Sequence, residues 1–139
     1  MRVLVDTSVW SLALRRSSGH DTNPSANALR GLIADGRAEI IGPIRQELLS
    51  GIRRVKQFLS LRSHLRAFPD LKITGEDWER AAEMLNTCRS QGIQGSNTDF
   101  VICAVAERYG LEIFTTDRDF SLFATLLPLK LFIDTNQAT

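Results

Sequence analysis

Apolar residues recur along the chain in short blocks whose period switches between strand-like and helical, and this alternation predicts strands separated by helices. The β-branched run at 2–5 ends on Asp6 and reads as a strand, and TSVWSLAL behind it continues as a helix. Thr22 or Asn23 before Pro24 starts a second helix, with Ala26, Leu29, Leu32 and Ile33 at apolar spacing and Gly36 as its stop. AEIIG at 38–42 reads as a second strand, IRQELLSGI as a helix, and Val55, Phe58, Leu59, Leu65 and Phe68 as the apolar side of another. Leu71 to Ile73 forms at most a very short strand. Thr74 with Asp77 three residues on resembles a capping box, opening a helix whose expected buried stripe is Trp78, Ala81, Ala82, Leu85 and Cys88. GIQGSN reads as a flexible connection. DFVICAVAERYG is apolar almost all round, the mark of a helix packed on both sides, and Gly110 is its stop. EIFTT at 112–116 reads as a strand, DRDFSLFATL as a loop and short helix, and LKLF at 129–132 as a last strand. Such an order implies an α/β fold in which a mainly parallel sheet is covered on both faces.

Composition narrows the class. A chain of 139 residues with 43% hydrophobic content suits one compact domain spanning 1–139. No apolar run reaches the roughly 18 residues of a membrane span, and Asp6 interrupts the one N-terminal stretch that could imitate a signal peptide, so a soluble cytoplasmic protein is expected. Cys88 and Cys103 sit in helical patterns without a histidine at metal spacing and read as buried thiols. The net charge of +1 conceals an asymmetry. Residues 1–69 carry eleven Lys and Arg against five acids, and residues 70–139 carry six against eleven. The densest basic stretch holds Arg45, Arg53, Arg54, Lys56, Arg62 and Arg66 with Glu47 its one acid. It can attract phosphates or an acidic partner, although a solvated helix face is the ordinary explanation of such a run.

The acids carry the chemistry. In open parallel sheets ligands bind beyond the carboxyl ends of the strands, and Asp6 and Asp117 both follow predicted strands directly. Asp99 stands where the long buried helix begins, and Glu47 lies early in another helix beside the Ile44/Leu48 stripe. Taken singly, most have a structural explanation: Asp6 as a helix cap, Asp99 as the third residue of a capping box on Ser96, Asp117 in a turn, Asp119 as a cap, Glu47 as an exposed helix residue. Convergence argues otherwise, because several acids at one end of a sheet without basic partners repel one another. A divalent cation resolves that cost, and oxygen ligands without nearby His or Cys point to Mg²⁺ or Mn²⁺. Asp99 can cap and ligate at once, since a helix N-terminus favours the ionised carboxylate.

DTSVW at 6–10, Glu47 in a helix after a second strand, NTDFVICAVA at 97–106 and TTDRDF at 115–120 together resemble the PIN-domain ribonucleases, and in order, spacing and length the VapC-type toxins of toxin–antitoxin pairs. The resemblance covers the whole chain. It implies a three-layer α/β/α sandwich and metal-assisted in-line hydrolysis of RNA phosphodiesters. It makes Asp6, Glu47, Asp99 and Asp117 the catalytic acids, with Asp6 and Asp99 as direct metal ligands. Asp117 and Glu47 complete a second metal position or orient the attacking water. Thr115 matches the family's hydroxyl two residues before the fourth acid, and Asp119 is either an outer ligand or a helix cap. Thr7 and Ser8 follow the first acid, orienting it or simply starting the helix. His20 and His64 read as surface or structural residues, and the lack of a well-placed histidine argues against a metal-independent nuclease.

With RNA as substrate, Arg45, Arg53, Arg54 and Lys56 become candidate phosphate contacts. The resemblance also implies a cognate antitoxin whose tail packs into a hydrophobic groove, and a toxin homodimer within a toxin–antitoxin hetero-oligomer. Two other readings compete. A receiver domain wants paired acids near its first strand and an aspartate after its third, whereas Asp6 stands alone and no aspartate lies between Asp35 and Asp70. A PIN-like module that only binds RNA or protein is disfavoured by the presence of all four acids.

Overall fold

The computed structural model describes residues 1–14 and 23–133. At its centre three short parallel strands, β1 (Val3–Val5), β2 (Ala38–Glu39) and β3 (Glu112–Phe114), lie in the order β2-β1-β3. Val3 is in register with Ala38 on one side and Glu112 on the other. All three residues of β1 are fully buried, and successive strand side chains point to opposite faces, so both faces of the sheet are covered.

The cover comes from seven helices among the described residues: α1 (Thr7–Leu14), α2 (Pro24–Ala34), α3 (Gly42–Leu49), α4 (Val55–Leu65), α5 (Gly75–Ser90), α6 (Asn97–Tyr109) and α7 (Asp119–Phe123). Helix α1 packs on α2 and α3, α3 meets α4, and α5 lies along α6. This is the predicted layered α/β arrangement. None of these helices is long and apolar enough to cross a membrane.

Local chemistry sets most helix starts. The Asn23 side chain accepts the Ala26 N–H and Pro24 opens α2, while Thr22 and His20 lie outside the described residues. Complete capping boxes start α5 (Thr74 with Asp77) and α6 (Ser96 with Asp99). Helix α6 ends on Gly110, whose φ of 69° is the left-handed conformation that only glycine adopts cheaply.

Three sequence expectations need correction. The strands expected at 71–73 and 129–132 shrink to single parallel bridges, Asp70 with Ile40 and Leu131 with Ile113. The first cannot lengthen because its partner chain turns into α3 at Gly42, two residues past Ile40, and the second consists of the two bonds that Ile113 makes with Lys130 and Phe132. The buried stripe of α5 is Asp77, Ala81, Met84 and Cys88, with Trp78 and Ala82 exposed. The stripe turns because Asp77 is drawn inward by an ion pair to Arg108 on α6. Finally, the expected apolar side of α4 buries Leu65 alone among its helical residues, and Val55 and Leu59 are exposed. Cys88 and Cys103 are buried free thiols, as expected.

Candidate active site

Parallel pairing brings the carboxyl ends of β1 and β3 to one edge. The Asp6 N–H donates to the Phe114 carbonyl at 2.8 Å, continuing the ladder by one bond and setting Asp6 beside Thr115. Helix α3 leaves the end of β2 and carries Glu47 to the same edge, and the first turn of α6 brings Asp99. Asp6, Glu47, Asp99 and Asp117 thereby line one open cleft of about 660 Å³, with Thr7, Ser8, Pro43, Gln46, Ser50 and Thr98 completing its wall. Among the described residues none of the four acids forms an ion pair.

Each carboxylate has its own neutral donors. Asp6 is 7% exposed; its Oδ1 accepts the Thr7 N–H at 2.8 Å, and its Oδ2 accepts the hydroxyls of Thr115 at 2.8 Å and Ser8 at 3.0 Å. Thr7 donates its hydroxyl to Glu47 Oε1 at 2.6 Å, tying α1 to α3. Asp99 Oδ2 accepts the Ser96 N–H at 2.9 Å. Asp117 Oδ1 accepts the Asp119 N–H at 2.9 Å, and its own N–H donates to Thr115 Oγ1 at 3.0 Å. Asp119 is therefore the residue capped and not the cap, standing exposed in the first turn of α7 outside the cleft wall. Burial holds the Asp99 carboxyl above its ordinary value and the charges of Asp6 and Asp117 add to this, against the Ser96 hydrogen bonds that pull it down. Burial pushes the Cys103 thiol, one turn further along α6, well up as well, which leaves it an inert core residue.

Three or more ligating side chains do not close into a ready cage among the described residues. The acids border one space, each engaged by hydrogen bonds of its own. An all-carboxylate set offering one or two ligands at a time suits a small hard cation that keeps several of its waters, so the donor chemistry fits Mg²⁺ or Mn²⁺.

The basic residues divide. Arg45 is committed to the fold: it pairs with Asp70 at 2.9 Å and donates to the carbonyls of Leu65, at 3.0 Å, and Phe68, binding α3 to the end of α4. Arg53 and Arg54 are exposed in the connection after α3 and Lys56 in the first turn of α4, a few positions beyond Ser50 of the cleft wall. His64 is exposed, with Nδ1 2.8 Å from the Ser60 carbonyl, and borders a second, more apolar groove of about 540 Å³ lined also by Leu14, Leu48, Ile52 and Leu61.

Gly95, in the stretch expected to be a flexible connection, is closely packed just before the Ser96–Asp99 capping box. A Cβ there would lie 2.6 Å from Phe123 Cζ and 2.9 Å from Phe100 Cε2, both rings fully packed. We expect Gly95→Ala to cost about 1–3 kcal/mol by overpacking. Because Gly95 precedes the Ser96 cap, the amide signals of Ser96 and Asp99 in a ¹H–¹⁵N spectrum should move with it. An unchanged melting temperature would contradict the close packing.

Residues 3–126 match the PIN domain family. Ribonuclease VapC11 of Mycobacterium tuberculosis is 30% identical over 132 residues, covering 92% of this chain and 96% of the relative. Among solved structures, FitAcB from Neisseria gonorrhoeae superposes with a TM-score of 0.73 at 19% identity, over 94% of this chain and 96% of the other. VapBC2 from Rickettsia felis, bound to a DNA fragment from its promoter, gives 0.72 at 18% identity over 95% and 98%.

Proposed function

The chain belongs to the PIN domain family, and from that membership we propose that it is a Mg²⁺- or Mn²⁺-dependent endoribonuclease, a toxin neutralised by a protein antitoxin. The observation that carries the reading is the convergence of four carboxylates, none in an ion pair among the described residues, on one open cleft beyond the parallel strands. A ribonuclease relative covering nearly the whole chain supports the choice of RNA.

Asp6 and Asp99 would hold the cation, with Asp117 beside them. When bound, the ion supplies charge stabilisation at the phosphate and a water acidic enough to attack near neutral pH. The protein's own part is orientation. Ser8 and Thr115 hold Asp6 through Oδ2, so the acceptor position left open lies on Oδ1. Glu47 spends Oε1 on Thr7 and keeps Oε2 to accept a proton from the attacking water. Arg53, Arg54 and Lys56, exposed a few positions beyond Ser50 of the cleft wall, would meet flanking phosphates, with Arg45 supporting the helix that carries Glu47. Such contacts would set register along the RNA without reading its sequence.

The apolar groove suits the antitoxin. It shares α3 with the acidic cleft, Leu48 lining one and Glu47 the other, so a segment seated there lies next to the site it would block. The same family reading proposes a toxin homodimer inside a toxin–antitoxin hetero-oligomer, and action in the cytoplasm agrees with two buried free thiols.

The test is cleavage of a mixed RNA pool by purified, antitoxin-free protein with Mg²⁺, Mn²⁺ or EDTA. Cutting that needs the ion and stops with chelator is expected. If no ion gives cutting beyond that of an Asp6→Asn preparation, the catalytic reading falls and a binding module takes its place.

A further inference from the structure

We propose that Ser8 is a positioning residue that locks the turn carrying Asp117 to Asp6, and so sets how tightly the site holds its cation. The inference rests on the nuclease reading above. Ser8 Oγ donates to Asp6 Oδ2 at 3.0 Å and accepts the Thr116 N–H at 3.1 Å. Thr115 repeats the pattern one residue on: its hydroxyl donates to the same Oδ2 at 2.8 Å and accepts the Asp117 N–H at 3.0 Å. One carboxylate oxygen thus receives two hydroxyls, and each hydroxyl holds one of two consecutive amides in the β3–α7 turn.

The two brackets differ in what they join. Thr115 belongs to the turn it stabilises, whereas Ser8 lies on α1, more than a hundred residues away in sequence. Ser8 is therefore a second tie between the turn and the β1–α1 segment, beside the bond from Thr115 to Asp6, and the one that reaches the Thr116 amide. The two oxygens stand 3.4 Å apart. With both hydroxyl protons directed at Asp6 Oδ2, neither is free to donate to the other, which leaves each hydroxyl an acceptor toward its amide. Without Ser8, Asp6 loses one of three donors and the turn bearing Asp117 keeps only the Thr115 hydroxyl as its side-chain tie to Asp6. Partners that orient ligands in this way typically change metal affinity or activity about 10–100-fold when removed.

The experiment compares the native chain with Ser8→Ala and Ser8→Thr in three readouts: Mn²⁺ binding by calorimetry without RNA, hydrogen exchange of the Thr116 amide, and RNA cleavage across a Mn²⁺ series. Ser8→Ala should bind Mn²⁺ about 10–100-fold more weakly, expose Thr116 to exchange, and recover much of its turnover at saturating Mn²⁺. Ser8→Thr, which keeps the hydroxyl, should stay near native. Should Ser8→Ala lose its cooperative melt, Ser8→Cys, close in size with a poorer donor, takes its place. Native-like Mn²⁺ affinity and Thr116 protection in the hydroxyl-less variant would overturn the proposal. A native chain that binds Mn²⁺ but cuts no RNA would count against the nuclease reading alone, since binding and amide exchange still decide the role of Ser8.

Discussion

Asp99→Asn should abolish RNA cleavage while making the metal-free protein more heat-stable. Both effects come from the same placement. Asp99 is half-buried at the first turn of α6, and its charge is disfavoured by burial and by the charges of Asp6 and Asp117. An amide of the same shape removes that repulsion and can still accept the Ser96 N–H through its carbonyl oxygen, so the capping box survives. What the amide cannot supply is the negative charge that would hold a divalent cation. We expect turnover to fall at least about 100-fold, the scale on which loss of a single preorganised electrostatic contact is felt in a transition state. The midpoint of thermal unfolding in EDTA should rise. Added Mg²⁺ or Mn²⁺ should raise it for the native protein and much less for the variant, because a ligand stabilises only the state that binds it. This pairing of gain and loss separates a functional acid from a structural one. A mere capping aspartate would lose stability, or nothing, on conversion to Asn and would leave cleavage intact. A drop in melting temperature with unchanged cutting would return Asp99 to the capping role alone.

Features legible in the sequence were those written locally. Strand-then-Asp at 2–6, the Thr74–Asp77 and Ser96–Asp99 boxes, and the all-round apolar helix ending at Gly110 each depend on residues within a few positions, and each is found in the structure. The meeting of Asp6 and Asp117 follows from one topological rule, that parallel strands end on the same edge, whereas Asp99 and Glu47 sit on helices and Glu47 joins the site through the family resemblance. Side-chain pairing across long stretches of chain was not legible. Periodicity assigned Trp78 to the core of α5, since nothing near it announces that Arg108, 31 residues beyond Asp77, would draw that acid inward and turn the helix. Arg45 looked like any member of a basic run until Asp70 and two carbonyls engaged it. Asp119 had the composition of a cap, but the side chain that reaches its amide is Asp117. The link from Ser8 to Thr116 spans 108 positions and leaves no periodic signal. The same holds for the two long-range donors in the cleft, the Thr7 hydroxyl to Glu47 and the Thr115 hydroxyl to Asp6.

The largest stability effect is expected away from the cleft, at the pair that joins α5 to α6. Asp77 is almost fully buried and receives two bonds from Arg108, Nε at 2.7 Å and Nη2 at 2.9 Å, besides the Thr74 N–H at 2.9 Å. Arg108 also donates to the Lys72 carbonyl at 2.8 Å and lies over the Tyr109 ring. Removing the cation by Arg108→Met leaves a carboxylate in the core with one remaining donor. Leaving a buried carboxylate without its cation is strongly destabilising, although solvent around the partly exposed Arg108 tempers the loss. The deficit should show as a clearly lower urea midpoint. The double variant Asp77→Ala/Arg108→Met should recover part of the loss, since no charge is then left unpartnered. Acidity supplies an independent check. In the native chain the Arg108 hydrogen bonds hold the Asp77 carboxyl below its ordinary value, outweighing burial. Its contribution is therefore present above the unfolded value of 3.8 and is lost as the pH falls through the lower folded one. In Arg108→Met, burial without its partner raises the carboxyl instead, so protonation should relieve the strain and the deficit against native should narrow on acidification. A deficit independent of pH would mean that Arg108 acts through the packing of its stem over Tyr109 and not through its charge.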